Sequence, residues 1–282
     1  MSLDASFDIK NIICLFFNNL GDAINLYNLN KDHQDCIMIT NLYDIVKYFR
    51  PNQQIIQQDK YKYVEKLNTY SNDKIQNVNH MKNTLKILDC SYGSGIDKNG
   101  ISQLNLIFLN AIGNKKIKNV NHMKKTLKKL SCGCDSEIDQ IGISELNLIE
   151  LNALGNKKIK NVNHMKNTLK ILNCGHNCGI DQNGISELNL IELYANDNDK
   201  IKNINHMKNT LKKLYCDWSC GIDQNGISEL NLIELNSNYN VKIKNVNHMK
   251  NTLKKLYCSF GYGIDQNGIY KLIHTEIIKS KK

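Results

Sequence analysis

No apolar run in the sequence approaches the roughly 20 residues that span a bilayer; the longest is Ile12-Ile13-Cys14-Leu15-Phe16-Phe17. The opening Met1-Ser2-Leu3-Asp4 lacks the basic stretch of a secretory signal. Together these absences predict a soluble, unsecreted, cytoplasmic protein with no membrane contact. Proline occurs once, at Pro51, and alanine is scarce, while Asn, Lys and Ile abound. That balance is what an AT-rich coding sequence produces, so it is set aside as functional evidence. No phosphate-cradling glycine loop, nucleophile elbow or isolated pair of acids occurs. In a reducing compartment the ten cysteines are expected as free thiols rather than as a disulfide framework.

What is present is a repeat. With 41% hydrophobic residues in 282, the chain has enough apolar surface to build a sizeable core. Leu85, Leu127, Leu169, Leu211 and Leu253 stand 42 residues apart, each inside a near-copy of the same block. Every block divides into two 21-residue coils, since Leu85 and Leu88 return as Leu106 and Leu109, and ten coils fit between Val64 and Ile273. The first coil type carries Leu211, Leu214, Cys216, Ile222, Asp223, Gly226, Ile227 and Leu230; the second carries Leu106, Leu109, Asn114, Ile117, Val120 and Met123.

Leu-x-x-Leu-x-Cys is a short strand with alternate residues inward, and stacked copies make a parallel sheet with neighbours about 4.8 Å apart. One coil cannot bury its apolar side alone, so each depends on its neighbours. Asn72, Asn114, Asn156, Asn198 and Asn240 are expected to turn inward and satisfy backbone groups where the chain leaves the strand. The Asp181 to Gly184 type of turn is expected to start a short helical return segment capped by its Asp.

This pattern resembles the leucine-rich-repeat family, and its Ile-Asp-x-x-Gly-Ile-x-x-Leu half resembles the cysteine-containing subclass. The resemblance implies an α/β solenoid with a parallel sheet on the concave face. Coils of 21 residues are too short for full convex helices, so tight turns or 3-10 segments are expected there. Such short coils resemble repeat proteins of bacteria and giant viruses, which would place the chain in a host cell's cytoplasm or nucleus.

His80, His122, His164, His206 and His248 recur with Cys90, Cys132, Cys174, Cys216 and Cys258, superficially like rows of metal ligands. Like residues then sit about 10 Å apart in the stack, whereas zinc needs ligands about 2.0–2.3 Å from one centre. The cysteine ladder reads instead as small buried residues. Only Cys174, Cys178, Cys216 and Cys220 lie where thiols could converge, and they carry the alternative of a metal or redox protein. A catalytic centre is a unique constellation, whereas candidates inside the solenoid are copies of one another. The expectation is therefore a binding protein without enzyme activity or cofactor.

The net charge of +10 raises nucleic acid as a partner, but its distribution argues against that. One outward row runs Lys129, Glu150, Ile171, Glu192, Lys213, Glu234, Lys255, in which opposite charges face each other. A second places Lys86, Lys128, Lys170, Lys212 and Lys254 beside Ile107, Ile149, Ile191 and Ile233. Lysines on the return side read as a solvated surface. A recognition patch belongs where copies differ, and the outward aromatics Phe108, Tyr194, Tyr215 and Tyr257, with Trp218 in the following loop, are the candidate contacts for a protein partner. Covering a neighbouring coil is the alternative role for them.

Residues 1–60 do not carry the period, residues 61–273 do, and 274–282 form a charged terminal cap. Pro51-Asn52-Gln53-Gln54 is the expected junction. Apolar spacing in the first segment predicts short packed helices, serving either as a cap or as something more specific. Ile9, Ile13, Phe16 and Phe17, then Asp22, Leu26 and Leu29, resemble an F-box. That resemblance implies docking to a Skp-type adaptor and cullin of a ubiquitin ligase, with the repeats choosing the substrate. The sequence departs from the motif in having no Leu-Pro opening, one extra residue between Phe17 and Asp22, and His33 where Trp is common.

Overall fold

The computed structural model describes residues 40–43, 50–259 and 262–279. The F-box-like residues Ile9, Ile13, Phe16, Phe17, Asp22, Leu26 and Leu29 lie outside them.

The described chain winds into one parallel sheet of twelve strands in sequence order. The strands are β1 (Asn41–Leu42), β2 (Lys66–Asn68), β3 (Ile87–Asp89), β4 (Phe108–Asn110), β5 (Lys129–Ser131) and β6 (Glu150–Asn152), followed by β7 (Ile171–Asn173), β8 (Glu192–Tyr194), β9 (Lys213–Tyr215), β10 (Glu234–Asn236), β11 (Lys255–Cys258) and β12 (Glu276–Lys279). From β2 onward each residue pairs with the one 21 positions further on, as in Leu88 with Leu109 and Leu193 with Leu214. Returns between strands are 3-10 segments such as Asn163–Met165 and Asn183–Ile185, and the described helices are single turns, α1 (Gln53–Ile56) and α2 (Gln266–Ile269). The expected leucine-rich-repeat solenoid with 3-10 rather than helical returns is the observed fold.

Rows of identical residues build the core. Leu85 to Leu253 and Leu88 to Leu256 are buried in every coil, and behind them Cys and Ala alternate at the third inward position, as in Cys174 and Ala195. Small residues are required there because the coil turns away immediately afterwards. Burying one leucine side chain stabilises by about 1.5–3 kcal/mol, and almost all of that comes from contact with the neighbouring coils.

Polar ladders hold the turns. Asn156 donates from Nδ2 to the carbonyls of Cys132 (2.7 Å) and Ile138 (3.0 Å), while its Oδ1 accepts from the Lys158 amide (2.8 Å). Asn114, Asn198 and Asn240 repeat this bonding, so the expected inward asparagines are present and tie each coil to the one before. Asp181 Oδ1 accepts from the Gly184 amide at 2.9 Å, the expected cap. Gly184 itself has a steric duty: a Cβ there would lie 2.1 Å from the Lys160 carbonyl oxygen of the preceding coil. Gly184→Ala is expected to cost roughly 1–3 kcal/mol by pushing two coils apart, read as a lower urea midpoint with unchanged slope.

Two expectations need revision. Asparagine abundance is more than coding bias. On the return side Asn163 donates to the Asn183 carbonyl (2.7 Å) and accepts from the Glu187 amide (3.0 Å), and Asn79, Asn121, Asn205 and Asn247 do likewise. The stack also extends beyond residues 61–273, because β1 and β12 pair into the sheet. Pro51-Asn52-Gln53-Gln54, expected as a junction, already belongs to a coil. The Pro51 carbonyl accepts from Asn72, and Gln53 binds the backbone of Gln76 and Asn77 as Gln182 binds that of Lys202 and Asn203.

Candidate functional site

Outward strand positions form the concave face, and its character changes along the solenoid. In the middle, Lys129 pairs with Glu150 and Lys213 with Glu192, both at 2.8 Å. The expected cross-strand neutralisation is present at those two places. Such exposed pairs contribute little to stability, on the order of 0–1 kcal/mol.

From β8 onward the face becomes aromatic. Tyr194 and Tyr215 are register partners, and their rings stack at 4.4 Å with an interplanar angle of 7°. The Tyr215 hydroxyl donates to Glu234 Oε1 (2.6 Å) and that of Tyr194 to Glu192 Oε2 (3.2 Å). Burial first, and then these carboxylates, raise both phenols above their ordinary range. The pair is thus a fixed, uncharged plate. Beside it a depression of about 330 Å³ is lined by Glu150, Asn152, Ile171, Asn173, Glu192 and Tyr194. Tyr257 is one strand further, beyond Asn236. Phe108 lies on β4, four strand spacings or about 19 Å from Tyr194, and is not part of this cluster.

Trp218 sits just past the strand end, 56% exposed, and stacks on Tyr239 at 4.5 Å; Tyr239 in turn meets Tyr262 edge-on at 5.0 Å. Tyr239 and Tyr262 were not among the expected contacts. The signal for Tyr239 was available, since it stands 21 residues after Trp218 and occupies the same place in the next coil.

That place has unusual backbone. It is left-handed in successive coils, with Gly113 at φ 65°, Gly155 at 67°, His176 at 51°, Asp197 at 54°, Trp218 at 56° and Tyr239 at 59°. A side chain with a Cβ pays roughly 1–2 kcal/mol in this region, which glycine avoids. Earlier coils use glycine; the last coils hold large, exposed aromatics there. Stacking between them is worth about 0.5–1.5 kcal/mol, which offsets the strain without exceeding it.

Asp217, immediately before Trp218, is half-buried, and its carboxyl is pushed up to about 6 by burial and by the Asp197 charge, with His176 acting in the opposite sense. An acid whose folded value is raised contributes stability that is complete below its unfolded value of about 4 and is lost as pH rises through the folded value. Asp217→Asn is therefore expected to be more stable than the parent at about pH 7 and to lose that advantage by about pH 4, measured by paired thermal melts across the range.

The histidine row is structural. His122, His164 and His206 each hold Nε2 at 3.0–3.2 Å from a carbonyl of the preceding coil, those of Ile101, Ile143 and Ile185. Burial lowers His122 and His164 below the ordinary imidazole range, so the neutral ring donates this bond. Among the cysteines, Cys178 donates to the Asn156 carbonyl at 3.3 Å. Cys216 is raised well above the thiol range by its hydrogen bond with Cys220 and by burial. Cys174, Cys178, Cys216 and Cys220 are all buried free thiols, and no three His, Cys, Asp or Glu side chains converge on a metal-sized site among the described residues. No described helix is long and apolar enough to cross a membrane.

The fold and this face define the chain as a leucine-rich-repeat solenoid, a repeat scaffold presenting a concave parallel sheet. Neither a family model nor a curated protein matches the sequence. Among solved structures it is similar to a chain of the crystal structure of the Rad7 and Elc1 complex in yeast, with a TM-score of 0.52 and 13% identity over 96% of this chain and 81% of that one. At that identity the likeness concerns the fold.

Proposed function

We propose that this chain is a non-enzymatic protein receptor, in which the aromatic end of the solenoid, Tyr194, Tyr215, Trp218, Tyr239, Tyr257 and Tyr262, captures a protein partner without any cofactor. One observation carries the reading: exposed Trp218 and Tyr239 stand at left-handed positions that glycine fills in other coils. Backbone strain retained at exposed aromatics has no structural purpose that glycine would not serve better, and points to function. Aromatic anchors supply contact area at low entropic cost.

The finer reading is that residues 1–60 deliver the captured partner to a Skp-type adaptor and cullin, in the cytoplasm or nucleus. It is supported by the F-box-like order of Ile9, Ile13, Phe16, Phe17, Asp22, Leu26 and Leu29. It is also supported by the likeness to a chain crystallised in the complex of Rad7 and Elc1. The rival is a scaffold with no ligase link. Affinity-tagged full-length chain, expressed with a Skp-type adaptor and cullin, separates them. The ligase reading expects co-purification that Ile13→Asp and Leu26→Asp abolish; a folded parent chain that retains neither protein leaves the scaffold. Stoichiometric zinc in the purified chain would instead support the metal reading of Cys174, Cys178, Cys216 and Cys220.

A further inference from the structure

Opposite the aromatic edge, where the chain enters the sheet, runs a row that the receptor reading has not used. Lys86, Lys128, Lys170, Lys212 and Lys254 alternate along it with the isoleucines from Ile107 to Ile233. Each backbone carbonyl of the row accepts two amides from the next coil, as Lys128 accepts from Ile149 (2.8 Å) and Glu150 (3.1 Å), so the row is held at strand spacing. The isoleucines are 39–47% exposed. None of the five lysines forms an ion pair, whereas Lys124, Lys129, Lys158, Lys166, Lys208 and Lys213 all do. The reason is local: their row neighbours on both sides are isoleucine, which leaves the ammonium groups without an acid in the same row.

The spacing selects a ligand geometry. Strands about 4.8 Å apart place successive lysines of this row about 9.6 Å apart. A polyproline II chain turns once in three residues and advances about 9.3 Å in doing so, so every third side chain points the same way. Over the four intervals from Lys86 to Lys254 the mismatch accumulates to only about 1 Å. A β-strand reaches a similar distance in three residues but turns that third side chain to the opposite face.

We propose that this row is a docking strip for an extended acidic peptide in polyproline II form, lying along the solenoid axis with a carboxylate at every third residue on a lysine and apolar groups on the isoleucines between. Charge complementarity and the period commit the surface to that occupant. A nucleic acid fits it worse, because charges repeating about every 3.4 Å along each strand of a duplex would set most phosphates against isoleucine. The proposal rests on the solenoid being a protein receptor, and adds a second contact on the other edge of the sheet.

The test uses the full-length chain and fluorescence anisotropy at low salt. The probes are a labelled peptide of Glu-Pro-Pro triplets, an isomer of the same composition with its glutamates grouped, and a single-stranded oligonucleotide of equal charge. The triplet peptide is expected to bind at least about tenfold more tightly than either of the others, and to lose about tenfold or more with Lys170→Glu or Ile191→Asp. Trp218→Asn, at the opposite edge, should leave this binding unchanged. Equal affinity for the two peptides, an oligonucleotide that binds as tightly, or indifference to Lys170→Glu in a chain with unaltered circular dichroism would overturn the proposal. Should Trp218→Asn still abolish capture of the protein partner, the receptor reading would survive that failure.

Discussion

Replacing Leu211 by arginine is expected to lower folding stability by about 4 kcal/mol or more, placing this change among the severe single substitutions. Leu211 is fully buried and stands in the row between Leu190 and Leu232, so a guanidinium there meets leucine on both sides and no carboxylate. Because each coil leans only on its neighbours, the damage divides the stack into two shorter ones. Urea unfolding followed by circular dichroism should show the midpoint falling or the transition splitting. Lys212→Ala, one residue away on the exposed row, should stay within about 0.5 kcal/mol of the parent. Unchanged midpoints for both would mean that the inward row has been misassigned.

The second large effect concerns binding. Trp218→Asn is expected to weaken partner capture by about 30-fold or more, the penalty of a central aromatic anchor. Folding stability should barely move. Asparagine tolerates the left-handed backbone better than tryptophan does and recovers roughly 1 kcal/mol of strain, about what is lost with the stack on Tyr239. Tyr215→Ala should weaken capture as well, since it removes half of the stacked plate with Tyr194. Titration of purified partner alongside thermal melts of each variant separates the two quantities. A Trp218 variant that binds normally, or that loses binding only because it unfolds, would remove the basis for placing the partner at this end.

Much of the fold was legible because its signal is repetition. Leucines 21 residues apart must share a row in any stack of equal coils, and the shortness of the coil leaves no room for a convex helix. The inward Asn114 and Asn156 could be read in advance, since a polar residue in an otherwise apolar row needs backbone partners. The ladder through Asn163 could not, because those asparagines bond across coils at exposed turns, where composition alone offers a simpler explanation. Strands β1 and β12 escaped the period because their sequences, Asn-Leu and Glu-Ile-Ile-Lys, share little with the repeat beyond its geometry.

For the site, Tyr194, Tyr215 and Trp218 were legible as departures from neighbouring copies. Their arrangement was not. Stacking of Tyr194 on Tyr215 depends on ring rotation about the side-chain bonds, and the left-handed backbone at Trp218 and Tyr239 is invisible until the loop is traced. Phe108 looked equivalent by type and proved remote by register. The lysine row was legible as a stripe, but whether its charges were already neutralised depended on which carboxylates each side chain could reach.

The most direct test places a photo-crosslinking amino acid singly at positions 215, 218 and 239 of the aromatic end, and at 187 and 208 on the return side, in the full-length chain in cells. The receptor reading predicts one shared protein adduct from the three aromatic positions and none from the other two. Adducts arising equally from both sides of the solenoid, or only from the return side, would contradict it.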